Sequence, residues 1–278
     1  MSEIIDHGFG IVTIKNACNV DFANMAERLE KLEKIAIEEN FTIVYDDDGN
    51  PIHAINQGGF IYSMELMQAS PLRLMSLGED WYEKFEGAIY KGLMQYIEMF
   101  PALLPSLWWK TMGHILSYSQ GAALGIHSDN DVNYRFGYAP ESQHATRNVV
   151  SAIIFLNSHG EDFTGGTMEF PYANVEIFPS AGDLLLFPAN YTASHKITTV
   201  NSGKRYSYLA WFAQGSEQSE RSVNPQMKPS PTGGQVWLTS VIQDYEEFLI
   251  NKYGESEIPE NVAMHRSRAK DHGEYEEQ

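Results

Sequence analysis

Gly182-Asp183-Leu184-Leu185-Leu186-Phe187 sets a turn glycine and a carboxylate directly before four large apolar residues. The run is too short for a helix and is bounded the way a strand is. It does not stand alone. From Trp108 onward the candidate strands fall at 111–118, 125–129, 148–157, 167–170, 174–178, 183–187, 194–200 and 205–213, divided by Gly, Pro and Asn. About eight short strands with turn signals between them predict a double-stranded β-helix, or jelly roll.

Outward from this core the periodicity changes. Residues 21 to 38 carry Phe22, Met25, Leu29, Leu32 and Ile35 at helical spacing. A second helix is predicted from Glu79 to Phe100, with Trp81, Phe85, Ile89, Leu93 and Tyr96 or Ile97 on one face and Pro101 as its stop. Residues 235 to 252 read as a closing helix bearing Val236, Leu238, Ile242, Tyr245 and Leu249. Beyond Gly254 the chain is charged and poor in apolar residues. The predicted class is α+β, mainly β: a double-stranded β-helix core with N-terminal helices packed against it. Its parts are an N-terminal helical and β wrapping region over 1–107, the jelly-roll core over 108–215, and a C-terminal helix and acidic tail over 216–278. Together they make one domain.

Between the first two helices, Phe41-Thr42-Ile43-Val44-Tyr45 reads as a strand and Asp46-Asp47-Asp48-Gly49-Asn50-Pro51 as a turn. A calcium loop beginning at Asp46 needs Gly at its sixth position and Glu at its twelfth. Those places hold Pro51 and Gln57, so the cluster reads as a solvated hairpin turn.

The 278 residues are 43% hydrophobic, which suffices for one sizeable core or two small ones. With 37 acidic against 19 basic residues, the net charge of −18 repels polyanions and argues against nucleic acid and anionic membrane as partners. Cys18 is the single cysteine, so an internal disulfide framework and a cysteine-based zinc site are both excluded. Met-Ser-Glu-Ile-Ile-Asp-His does not read as a signal peptide, and no apolar run reaches the roughly 18 residues of a spanning helix. A soluble, cytoplasmic protein is expected, as a monomer or homodimer.

The chemistry concentrates in His127-Ser128-Asp129 and Ser194-His195. Residues separated by one position share a face of a strand, so His127 and Asp129 can both point into a barrel mouth while Ser128 points away. His195 opens a second predicted strand. Two imidazoles and one carboxylate on one face of a metal, with other positions open, form the facial triad suited to non-haem iron(II). The bare His-x-acid pair is weak, since chance supplies about one such pair in a chain of this composition. The order of elements is specific: the pair lies on one strand, His195 on another, and Arg205 and Ser207 on the next. A Ser/His/Asp hydrolase is disfavoured by the absence of a G-x-S-x-G elbow.

From Met112 to Phe212 the chain resembles the iron(II)/2-oxoglutarate-dependent oxygenases, in particular their prolyl 4-hydroxylase-like branch. The resemblance runs through Ile115-Leu116-Ser117-Tyr118, His127-Ser128-Asp129, Val150 to Asn157, Gly165 to Pro171, Pro179 to Asp183, and His195 to Trp211. It implies Fe(II) held by His127, Asp129 and His195. It also implies 2-oxoglutarate and O2 as co-substrates, with ascorbate in support. Arg205 would pair with the C5 carboxylate of 2-oxoglutarate, a task suited to a planar guanidinium. Ser207 completes an Arg-x-Ser arrangement, and Tyr118 would line the co-substrate pocket or serve the core. Asp129 fills the place that halogenating relatives leave to halide, which favours hydroxylation or a related oxidation. The implied reaction converts 2-oxoglutarate to succinate and carbon dioxide and removes hydrogen from an unactivated C–H bond.

Asn130 to Arg147 follows the metal-binding strand and is polar and aromatic. Within it Arg135 suits a substrate carboxylate, Asp131 an amine, and Tyr134 a contact nearby. The leading expectation is a small-molecule hydroxylase acting on an amino-acid or peptide-like metabolite, as in natural-product biosynthesis. The alternative is a prolyl or other side-chain hydroxylase acting on a protein. A third is a jelly roll that binds without turnover.

Overall fold

Strands apolar on both faces, such as Leu184-Leu185-Leu186-Phe187, need cover on both sides. In this protein a barrel interior covers one face and a helical layer covers the other. The computed structural model describes residues 3–57, 60–63, 69–72, 79–107, 109–111, 113–130, 147–214, 235–237 and 241–254.

The chain begins with strands β1 (Ile4–Asp6) and β2 (Val12–Ile14), helix α1 (Phe22–Asn40), and the strands β3 (Phe41–Tyr45), β4 (Pro51–Gln57), β5 (Phe60–Ser63) and β6 (Ala69–Leu72). Helix α2 (Glu79–Met99) leads through a 3-10 turn to β7 (Trp109–Thr111), β8 (His114–Tyr118) and β9 (Leu124–His127). Then come β10 (Arg147–Phe155), β11 (Phe163–Gly165), β12 (Met168–Phe170), β13 (Val175–Ile177) and β14 (Leu184–Pro188). The remaining elements are β15 (His195–Ile197), β16 (Val200–Gly203), β17 (Arg205–Gln214), β18 (Gln235–Trp237) and α3 (Val241–Tyr253).

The eight strands expected from the sequence sort into two sheets. One contains the run β14-β10-β17, with β8 on the far side of β17; the other is β13-β12-β15-β9. Numbered I to VIII along the chain, strands I, III, VI and VIII lie in the first sheet and II, IV, V and VII in the second, the arrangement of a double-stranded β-helix. The larger sheet is extended by elements the sequence analysis did not assign to it. β1 and β2 add beyond β14, β6 adds beyond β8, and β18 pairs with β7.

Side-chain alternation divides the apolar residues into two cores. Ile153, Phe155, Leu185, Phe187 and Leu209 point into the barrel with Met168, Phe170 and Ile197. Val150, Ala152, Ile154, Leu184, Leu186, Tyr208 and Phe212 face the helices, meeting Met25 and Leu29 of α1 and Phe85, Ile89, Leu93 and Ile97 of α2. Helix α1 starts at Asp21, whose side chain accepts the Asn24 N–H at 3.2 Å.

Two details depart from the sequence expectations, and a third agrees with them. Ile35 is 48% exposed, whereas Glu33 on the same helix is 6% exposed, because Ser117, Lys204 and Tyr206 converge on it. The closing helix begins at Val241, not at 235, since Val236 is held in a strand opposite Lys110. The Asp46 cluster is a hairpin turn, its carboxylate accepting the backbone N–H groups of Asp48 and Asn50 at 3.0 and 2.7 Å. Among the described residues no helix is long and apolar enough to cross a membrane.

Candidate metal centre

β9 and β15 pair antiparallel with His127 directly opposite His195, which sets the two imidazoles 4.4 Å apart by centroid. Asp129 completes the cluster, but not by strand alternation as the sequence suggested. β9 ends at His127, and Asp129 lies in the turn that follows. Ser128 is buried there. The turn is fixed from β10 and β14: Asn148 donates to the Asp129 carbonyl at 2.8 Å, and Asn130 N–H donates to Ala189 at 2.9 Å.

One ligand atom from each of His127, Asp129 and His195 lies within 4.8 Å of the others. Asp129 Oδ1 is 3.4 Å from His127 Nε2 and 3.7 Å from His195 Nε2. The Nδ1 atoms face backbone carbonyls, Gly125 at 2.9 Å for His127 and Ala193 at 3.1 Å for His195. A carbonyl oxygen only accepts, so each Nδ1 carries the proton and each Nε2 turns its lone pair to the centre. That is the tautomer a metal requires.

Burial opposes charge on His195 and Asp129. It pulls the His195 imidazole below its ordinary range, with the Asp129 carboxylate opposing; Phe170 and Phe187 pack on the ring at 5.4 and 4.9 Å. Burial also pushes Asp129 upward, but His195 and His127 beside it, with the hydrogen bond from Ser151, hold it below the usual carboxylate range. Asp129 is therefore an ionised ligand, and two neutral imidazoles with one carboxylate fit a divalent cation that prefers mixed N and O donors.

The barrel interior behind this centre is lined by Arg205. It opens β17 opposite Tyr118, and its guanidinium lies 5.1 Å from the Tyr118 ring and 5.6 Å from the Phe155 ring. The residue is 1% exposed, yet among the described residues its Nε and Nη2 have no hydrogen-bond partner. Nη1 donates to Ser207 Oγ at a long 3.4 Å. A buried cation with two unsatisfied nitrogens is costly unless an anion meets it, and a carboxylate matches the fork in charge and geometry. Tyr118 and Ser207 are neighbours of that cation. Arg135, Asp131 and Tyr134 lie outside the described residues.

Ser151 was not foreseen in this role. Its hydroxyl donates to Asp129 Oδ2, orienting the carboxylate from β10. The signal was there: a single hydroxyl in the middle of an apolar strand.

Residues 113–213 match the sequence model of the 2OG-Fe(II) oxygenase superfamily. A PKHD-type hydroxylase of Psychrobacter sp. (strain PRwf-1) is 30% identical over 133 residues, 47% of this chain and 48% of the relative. The chain thus spans about half the length of the curated relative it matches. Among solved structures, the viral collagen prolyl hydroxylase of Paramecium bursaria Chlorella virus-1, in its 2OG complex, is 13% identical with a TM-score of 0.46. It covers 75% of this chain and 98% of its own. A prolyl hydroxylase of Trichoplax adhaerens, bound to a hypoxia inducible factor peptide fragment, is 17% identical with a TM-score of 0.45, over 78% of this chain and 88% of its own.

Proposed function

We propose that this chain, whose residues 113–213 form a 2OG-Fe(II) oxygenase domain, is an Fe(II)- and 2-oxoglutarate-dependent hydroxylase of an amino-acid side chain presented in a peptide or protein. The observation that carries the reading is a pair of complementary sites in one barrel. A convergent His127-Asp129-His195 cluster lies at its mouth and the unpaired Arg205 guanidinium inside it.

Each residue has a task in this reading. His127 and His195 present Nε2, and Asp129 presents a carboxylate steadied by Ser151. Arg205 takes the distal carboxylate of 2-oxoglutarate, with Ser207 and the Tyr118 ring limiting its side chain to one orientation. The apolar wall of Phe155, Ile153 and Leu185 keeps water from that ion pair, which strengthens it. When bound, Fe(II) supplies the activation of O2 coupled to oxidative decarboxylation of the 2-oxo acid.

The hydroxylase outcome agrees with the name of the Psychrobacter relative, and the carboxylate of Asp129 favours it over halogenation. The peptidyl substrate is supported by the resemblance of the core to the prolyl 4-hydroxylase-like branch. It therefore displaces the free metabolite as the leading substrate class.

Anaerobic titration of the full chain with Fe(II) and 2-oxoglutarate, read by the metal-to-ligand absorbance, tests the site. Succinate release across proline-containing peptides and free amino acids then tests the substrate. His195→Ala is expected to abolish both absorbance and turnover; unchanged absorbance in that variant would remove the metal assignment. Arg205→Ala is expected to weaken 2-oxoglutarate by about 100-fold, the loss of a paired, charge-assisted contact. Turnover confined to free amino acids would return the substrate to the metabolite class.

A further inference from the structure

Inside the barrel one more polar side chain is buried with an unmet hydrogen-bonding atom. His114 opens β8, on the face shared with Leu116 and Tyr118; both of those pack into the barrel core, while Ile115 packs with the helical layer. The imidazole is 3% exposed and its ring lies 5.3 Å from that of Trp211. Among the described residues its Nδ1 has no hydrogen-bond partner. Burial keeps the ring neutral by pulling its pKa down to about 4, against the smaller, opposing pull of the Asp129 carboxylate. A buried nitrogen left unpaired costs more than an apolar residue of the same shape would, so the position is expensive unless something fills it.

The sheet register says what passes that position. Along the ladder Arg205 pairs with Tyr118 at one end, Leu209 pairs with His114 in the middle, and Trp211 pairs with Ser151 at the other. Ser151 in turn holds Asp129. The order inside the barrel is therefore distal-carboxylate cation, His114, metal cluster. A dicarboxylate that reaches from the cluster to Arg205 must run past the His114 level.

We propose that His114 binds the co-substrate, donating its Nδ1–H to the carboxylate at the 2-oxo acid end of 2-oxoglutarate while Arg205 holds the distal carboxylate. The assignment rests on the Fe(II)/2-oxoglutarate reading of the site. A carboxylate only accepts, so a neutral imidazole protonated at Nδ1 is the matching donor. The two contacts thereby divide the dicarboxylate between two residues on adjacent strands.

The test is anaerobic titration of the Fe(II)-loaded full chain with two acids: 2-oxoglutarate, and 2-oxobutyrate, which keeps the 2-oxo acid end but lacks the distal carboxylate. His114→Phe preserves a ring against Trp211 and removes the donor. It is expected to raise the Kd of both acids about tenfold or more, the loss of one hydrogen bond to a charged group. His114→Gln, which keeps an N–H, should recover part of that loss. Arg205→Ala should weaken 2-oxoglutarate and leave 2-oxobutyrate as it was. A folded His114→Phe with both affinities unchanged, or with only 2-oxoglutarate weakened, overturns the proposal. A lowered unfolding midpoint with intact binding does so too. His114→Leu carries the same expectation should the Phe variant not fold. Wild-type protein that gives no absorbance with either acid overturns the underlying reading as well, and that failure is visible before any variant is made.

Discussion

A hydroxyl in the middle of an apolar strand is an expensive choice unless it has a partner, and Ser151 has one in Asp129. The bond fixes which carboxylate oxygen stays with β10 and leaves Oδ1 to face His127 and His195. Ser151 thus acts on the metal through the ligand. Replacing it with Ala keeps the strand and the ligand set but frees the carboxylate to rotate. The expected outcome is a 10- to 100-fold loss of Fe(II) affinity, in the range known for partners of metal ligands. Direct titration with Fe(II) under argon measures it. An affinity within twofold of wild type would mean that the turn at Asp129 is held by Asn148 and the Asn130 backbone alone.

At the scale of elements, what the sequence revealed and what it hid have different causes. The eight barrel strands were legible because their apolar runs are short and bounded by Gly, Pro and Asn. Helices α1 and α2 were legible from their 3.6-residue stripe. Strands β1, β6 and β18 were not, because a strand of three or four residues has too few positions to show a period and forms only where a neighbouring edge offers hydrogen bonds. The triad and Arg205 were legible from type and order. The turn that presents Asp129 was not, since a tertiary bond to Asn148 decides where β9 stops. Glu33 was hidden for a similar reason. It lies on the buried side of α1, where Lys204 Nζ meets it at 2.6 Å and Ser117 Oγ at 3.0 Å. Ser117 and Lys204 flank the loop and strand that carry Tyr118 and Arg205, so this contact joins α1 to the wall of the co-substrate pocket. Glu33→Ala strips Ser117, Lys204 and Tyr206 of their acceptor and is expected to cost about 2 kcal/mol, reduced from a fully buried pair because Lys204 is partly solvated. Glu33→Gln keeps an oxygen for Ser117 and should cost less. Urea unfolding of the two variants separates the hydrogen-bond part from the ionic part.

For the whole molecule, the N-terminal segment is part of the barrel wall, not a cover laid over it. β2 pairs with β14, Lys15 forms an ion pair with Asp183, and Asp183 Oδ1 accepts the Asn16 N–H at 3.0 Å. The backbones meet at Gly182, whose carbonyl accepts the Cys18 N–H at 3.0 Å while its own N–H donates to Phe155 at 2.8 Å. Gly182 has φ of +86°, and a Cβ there would run into the Cys18 carbonyl oxygen. Two penalties then add: a left-handed backbone for a residue with a side chain, and a backbone clash that no rotamer change relieves. Gly8 separates them, since its φ is +84° but a Cβ there meets no atom within 4 Å. Gly8→Ala is expected to cost about 1 kcal/mol, the backbone part alone. Gly182→Ala should cost about 3 kcal/mol, because the N-terminal segment must also move off the sheet. Denaturant unfolding of both variants reads the difference. Equal losses would show that the contact between Gly182 and Cys18 is not what binds the first residues of the chain to the barrel.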